Sequence, residues 1–156
     1  MLRKLIMKCL LVLGVCSVVV GCSSGSGEKF KAELKDEIPM TFQIQVEDGN
    51  VVKGEQEIVF KLSDREEKVY QFYLEMLEKS MDDYNVKAGT HATLTSDDKE
   101  QIITTNITIN FEEADPDEII DFFDTKHENL LNESDLPSWD LVKKNLEKKG
   151  FEITPV

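Results

Sequence analysis

Residues 40–62, MTFQIQVEDGNVVKGEQEIVFKL, carry the pattern that decides the fold. Met40, Phe42, Ile44 and Val46 alternate with Thr41, Gln43 and Gln45, the period of a strand with one buried face. Asp48-Gly49 follows, and such a pair between two extended runs marks a type I′ hairpin, whose central residues need positive φ. On the returning run Val52, Ile58, Phe60 and Leu62 are placed on one face. Two long antiparallel strands are expected.

Working outward, Phe30, Ala32 and Leu34 predict a weaker strand, joined to the hairpin by a turn around Lys35 to Pro39. Downstream, Ser63 reads as a helix cap, with Glu66 completing a capping box. Val69, Phe72, Tyr73, Met76, Leu77 and Tyr84 recur at helical spacing and read as the packing face. Tyr70 and Leu74 widen that face, and the helix ends near Tyr84-Asn85. Thr90, Ala92 and Leu94 then lead through a turn at Ser96 to Lys99 into a further strand. There Ile103, Thr105, Ile107, Ile109 and Phe111 share a face, with Thr104, Asn106, Thr108 and Asn110 opposite, as on the solvated side of an antiparallel sheet.

Asp115-Pro116-Asp117-Glu118 places a cap, a proline and two acids where a helix begins, with Ile119, Ile120, Phe122 and Phe123 as its apolar side. Residues 124–137 carry no periodicity and read as a loop. Ser138 opens a last helix faced by Trp139, Val142 and Leu146, and Gly150-Phe151 closes it with an apolar clasp. Phe151 and Ile153 suit a short terminal strand. The expected class is α+β: a single antiparallel sheet with helices packed on one face, in the order β-β-β-α-β-β-α-α.

The N-terminus is of another kind. Arg3, Lys4 and Lys8 precede an apolar run from Leu10 to Val20, and Val19-Val20-Gly21-Cys22 ends it. This is a lipobox: a secretory signal over residues 1–21, cut between Gly21 and Cys22, with lipid added to the Cys22 thiol. The apolar run is too short for a membrane-spanning helix, which needs about 20 residues. Cys9 and Cys16 leave with the signal, so no disulfide is expected. Residues 22–27 read as lipidated cysteine and flexible tether, and 28–156 as one α+β domain. The expected location is the extracytoplasmic face of the cell membrane, or an outer membrane where the source has one.

The full chain has a formal charge of −13. Its first 21 residues hold three cations and no acid, so the remainder is more acidic still. Such a chain is not suited to nucleic acid or to anionic lipid headgroups. Membrane attachment then falls to the lipid on Cys22. The acid pairs Asp82-Asp83, Asp97-Asp98 and Glu112-Glu113 read as a solvated surface or as a loose cation site. Asp115, Asp117 and Asp121 resemble a calcium loop only superficially, because Ile120 stands where the turn glycine belongs. His127-Glu128 lacks the second histidine of a zinc-protease helix, and His91 stands alone on a Thr-rich strand. No nucleophile elbow, phosphate loop or dinucleotide fingerprint occurs. No catalytic residue, metal ligand or cofactor is therefore assigned.

Glu28-Lys29-Phe30, the hairpin from Val46 to Val52, Ala88-Gly89, Asn106-Ile107-Thr108-Ile109 and Leu146 to Phe151 together resemble the YehR-like lipoproteins, a bacterial family of unknown function. The resemblance spans most of 28–156. It implies a small lipid-anchored α+β domain and supplies no catalytic residues. The functional expectation is a non-enzymatic binding or accessory domain, held to the membrane through Cys22 and meeting a protein or envelope partner. The alternative is a divalent-cation or small-ligand binder, with Trp139 and the tyrosines as candidate groove residues.

Overall fold

The computed structural model describes residues 27–36, 38–125 and 130–156. Strands β1 (Glu28–Leu34), β2 (Met40–Glu47) and β3 (Asn50–Lys61) lead into helix α1 (Glu67–Asn85). Strands β4 (Thr90–Asp97) and β5 (Ile102–Asn110), helices α2 (Pro116–Phe122) and α3 (Trp139–Lys148), and strand β6 (Glu152–Pro155) follow. The six strands form one antiparallel sheet in the order β4-β5-β3-β2-β1-β6, with the helices on one face. The architecture is the expected α+β class, and the short terminal strand closes the sheet beside β1.

The central hairpin forms as its sequence predicts. Asp48 and Gly49 take φ of 49° and 79°, the two positive values that a type I′ turn requires. Its outgoing strand buries Phe42, Ile44 and Val46. The returning strand differs from the expectation. A β-bulge at Gln45/Val46 pairs Val46 with Val51 and leaves Val52 as the extra residue. An extra residue reverses the alternation, so Val51 is fully buried where Val52 was expected to be.

The core lies between this sheet face and the three helices. Phe42 packs on Phe122, Phe123 and Phe151, and Phe111 stacks on Phe123. Gly54 completes the arrangement by having no side chain: a Cβ there would stand 2.8 Å from Cε1 of Phe122 and 3.1 Å from Cε2 of Phe111. Trp139 stacks on Phe30 with ring centres 4.4 Å apart. The indole is thus core and does not line a ligand groove.

α3 ends as its sequence implies. Phe151 N–H donates to the Leu146 carbonyl and Gly150 N–H to that of Glu147, the bond pair of a Schellman motif. The segment before α3 is less free than a loop reading suggests. Val51 N–H donates to the Pro137 carbonyl and Trp139 N–H to that of Gly49, so this segment lies along the tip of the central hairpin. Asn132 reaches the same place through a side-chain hydrogen bond to Asn50.

α1 departs from the sequence reading twice. It starts at Glu67 behind Glu66, which occupies the cap position without a side-chain capping bond, so the expected Ser63–Glu66 box does not form. Arg65 N–H instead donates to the Leu62 carbonyl, closing a turn that delays the helix. Its buried residues are Tyr70 and Met81, whereas Phe72 is 63% exposed and Met76 46% exposed. Tyr70, Leu74, Leu77, Met81 and Tyr84 alternate by four and three residues and turn inward on β4 and β5. Tyr70 and Leu74, read as mere widening, belong to the seam, and two of the six residues of the expected packing face, Phe72 and Met76, are outside.

Candidate functional site

The second apolar stripe of α1 defines the candidate site. Val69, Phe72, Tyr73 and Met76 stand at i, i+3, i+4 and i+7, so they occupy one side of the helix. β3 ends next to this stripe. Phe60 lies on the core face of the sheet, and its ring meets that of Tyr73 with centres 6.3 Å apart. Among the described elements α1 packs against β4 and β5 and α3 reaches β6, which leaves the end of β3 between them thinly covered.

A groove of about 560 Å³ opens there. Ile38, Phe60, Leu62, Val69 and Tyr73 supply its apolar lining, and Lys61, Asp64 and Arg65 its polar edge. Phe72 and Met76 extend the apolar surface along the helix. The groove sits past the Leu34 end of β1, in which Ile38 follows Leu34, whereas Gly27 precedes Glu28 at the opposite end. Seven residues of strand put about 20 Å between the two ends.

A second concavity lies on the uncovered sheet face. It measures about 280 Å³ and is lined by polar groups, among them Glu33, Thr41, Gln43, Glu55, Asn106 and Thr108. Its charges are largely spoken for: Lys31 pairs with Glu33 at 2.8 Å and Lys53 with Glu55 at 3.2 Å. The hydrogen bond from Lys31 holds the Glu33 carboxyl below its ordinary value.

Further polar contacts fix the helices to the sheet and were not legible as motifs. Tyr70, fully buried, donates to Asp98 Oδ1 at 2.6 Å and ties the β4–β5 turn to α1. That hydrogen bond raises the Tyr70 phenol above its ordinary value, with burial in support. The Asn85 side chain both donates to the Ala92 carbonyl and accepts from the Ala92 N–H, at 2.8 and 2.7 Å, occupying that stretch of the sheet edge. Lys87 meets Glu118 at 2.6 Å and lies over the Tyr84 ring, and the Glu118 contact raises the Lys87 ammonium above its usual range. Lys149 donates to the Phe123 carbonyl and reaches Asp124, the role of a cation at the end of α2.

The residues singled out in the sequence do not converge. Gly21, Cys22 and His127 lie outside the described residues. His91 is exposed on β4. Asp115 and Asp117 flank the first turn of α2, as helix-start acids do. Among the described residues no group of three or more His, Cys, Asp or Glu stands together in a way that could hold a metal ion. None of the described helices is long and apolar enough to cross a membrane. Of the candidate groove residues Tyr73 lines this groove, whereas Trp139, Tyr70 and Tyr84 do not. The groove's place between β3 and α1 escaped the sequence reading, where its signal is the surplus of apolar residues between Val69 and Leu77.

No protein-family model and no curated protein matches the chain. Solved structures do. The NMR structure of the Escherichia coli YehR protein superposes with a TM-score of 0.63 at 16% identity, covering 83% of this chain and 91% of that one. The fold is YehR-like. The NMR structure of a protein from Streptococcus pneumoniae TIGR4 superposes with a TM-score of 0.58, also at 16% identity, covering 90% of this chain and 92% of that one. The YehR-like sheet and helices thus extend over nearly the full length of both neighbours, and at this identity the likeness speaks to fold alone.

Proposed function

We propose that this chain is an exported lipoprotein, a member of the YehR-like group, anchored through lipid on Cys22 and acting as a non-enzymatic binding or accessory domain outside the cytoplasmic membrane. The observation that carries the binding half is the groove between β3 and α1. An exposed phenylalanine and methionine beside an open apolar channel are costly to leave in water unless something covers them. The anchoring half rests on the lipobox, in which a cation-flanked apolar run ends at Gly21-Cys22. A diacylglyceryl group brings two chains, and each buried CH₂ contributes about 0.8 kcal/mol, so no basic patch is needed to hold the domain at the bilayer. The groove opens at the end of the strands away from Gly27, and therefore away from the tether.

The polar hollow on the open sheet face favours a second reading, a small polar ligand held by Thr, Gln and Asn side chains. A divalent cation has no such hollow of carboxylates among the described residues.

Fractionation tests the anchor. Cys22→Ser is expected to move the protein from the membrane fraction to the medium or periplasm. A variant that stays with the membrane would remove the lipid from the account.

A further inference from the structure

The two edges of the sheet are not alike. β6, at one end, has four residues and carries Glu152 and Pro155, so it offers little for another strand to pair with. β4, at the other end, pairs with β5 without a register shift from Thr90 to Asp97. Its stretch from Thr90 to Ser96, THATLTS, holds no Lys, Arg, Asp, Glu or Pro, in a chain of which 31% is charged. Shortness, a proline, a bulge or a charge keeps an edge from accepting a further strand, and this stretch uses none of them.

The backbone of β4 has groups to offer. Asn110 N–H donates to the Gly89 carbonyl, which sets the alternation of the ladder. Thr90, Ala92, Leu94 and Ser96 therefore turn their N–H and C=O groups away from β5. Thr90 N–H donates to the Lys87 carbonyl, and the Asn85 side chain satisfies both groups of Ala92. Asn85 thus stands in for one residue of a seventh strand and goes no further. The backbone groups of Leu94 and Ser96 on that side have no hydrogen-bond partner among the described residues.

The flank of α1 beside this edge is acidic. Asp82, Glu78, Gln71 and Glu67 stand 3, 7, 14 and 18 residues before Asn85, so they share the side of the helix from which Asn85 reaches β4. Asp97 and Asp98 close the far end of the strand, where Tyr70 meets Asp98. Glu78, Asp82, Asp97 and Asp98 enter no ion pair among the described residues. The cations of the region are placed elsewhere. Lys79 is about 100° of helix round from Glu78, with Glu75 and Asp83 four residues to either side. Lys68 pairs with Glu66 and Lys87 with Glu118. Lys99 lies in the turn beyond Asp98, next to Glu100. On the open sheet face His91, Thr93 and Thr95, and Thr104, Asn106 and Thr108 beside them, bring no lysine, arginine or carboxylate.

We propose that β4 accepts an extended segment of a partner protein as a seventh strand, with Lys or Arg on the side that meets α1. This site goes beyond the groove, which Val69 and Tyr73 border from the opposite flank of the helix. Main-chain hydrogen bonds to Leu94 and Ser96 hold the incoming strand, and every second side chain of it lies beside Glu78 and Asp82. There a cation is attracted and an acid repelled. A second copy of this chain fits less well, because pairing β4 with β4 sets two acidic flanks together.

The test uses the full lipidated chain in phosphatidylcholine vesicles and short fluorescent peptides in which Val alternates with Lys, Gln or Glu. A fourth peptide is the Lys form with N-methylated amides, which keeps the charge and loses the donors. Anisotropy should report the Lys peptide bound about 10-fold tighter than the Glu peptide, with the difference shrinking as salt is raised. The N-methylated peptide should not bind. Ser96→Pro should abolish binding of the Lys peptide and leave the domain folded, since Ser96 is exposed and its N–H faces outward. Glu78→Lys combined with Asp82→Lys should remove the preference for Lys without altering the edge, and it decides the matter if Ser96→Pro fails to fold. Equal binding of the three charge forms overturns the proposal. So does binding of the N-methylated peptide or binding that survives Ser96→Pro, either of which makes the attraction one of charge alone. Self-association that Ser96→Pro removes makes the occupant a second copy and overturns it too. Flotation of the chain with the vesicles reports the anchor separately. Loss of all peptide binding with flotation intact therefore overturns this site and leaves the anchored domain standing.

Discussion

Phe42→Ala is expected to remove about 3–5 kcal/mol of folding stability, the usual cost of emptying a fully enclosed aromatic site. Phe42 is only 3% exposed and touches three other rings, Phe122, Phe123 and Phe151, with centres 5.4, 5.8 and 5.4 Å away. Phe122 and Phe123 come from the end of α2, and Phe151 from the segment between α3 and β6. The site cannot collapse by moving one neighbour, because the rings are held by two separate parts of the chain. A domain of this size has a net stability of about 5–15 kcal/mol, so the variant should lie near the edge of folding. Urea unfolding measures it directly. The matched comparison is Phe72→Ala, which should stay within about 0.5 kcal/mol of the parent because that ring is 63% exposed. If both substitutions cost the same, the orientation of α1 is wrong.

Gly54→Val is expected to destabilise by about 1–3 kcal/mol or more through overpacking. The position faces the core between Ile44 and Ile109, and the Phe122 ring occupies the space a side chain would need. A new Cβ at 2.8 Å from Cε1 of Phe122 forces that ring away, and Phe122 is itself wedged against Phe42, Phe111 and Phe123. The strain should therefore propagate into the same cluster. Gly54→Ala combined with Phe122→Leu separates the causes. If the ring contact is responsible, the double variant recovers part of what the single Ala variant loses, as a coupling between touching residues. Strictly additive losses would place the cost in the backbone instead.

These two sites also mark how far the sequence could be read. The alternation of Phe42, Ile44 and Val46 and the Asp48-Gly49 turn are local signals, and local signals were enough for the central hairpin. The bulge at Gln45/Val46 was not legible, because Val51 and Val52 are chemically alike and only the pairing with β2 decides which one faces inward. α1 was misjudged for a related reason. Between Val69 and Leu77 only Gln71 and Glu75 are polar, so helical periodicity alone points to no single face. The choice was made by β4 and β5, which accept the seam from Tyr70 to Tyr84 and leave Phe72 and Met76 outside. The groove then follows from tertiary proximity, since Ile38 and Tyr73 are far apart in sequence and neither is informative alone. The same holds for Tyr70–Asp98 and Asn85–Ala92, single polar contacts whose partners only the fold brings together.

The central claim is that an anchored domain keeps its apolar groove for a protein and not for the lipid to which it is tied. A nitroxide label at Phe72→Cys, in the full lipidated chain on vesicles, tests it most directly through its accessibility to a water-soluble and a lipid-soluble relaxant. The account predicts a label relaxed by the aqueous reagent alone, matching one placed at Val86→Cys, which is also exposed. A Phe72→Cys label shielded from water and relaxed by the lipid-soluble reagent would put the groove in the bilayer and contradict the account.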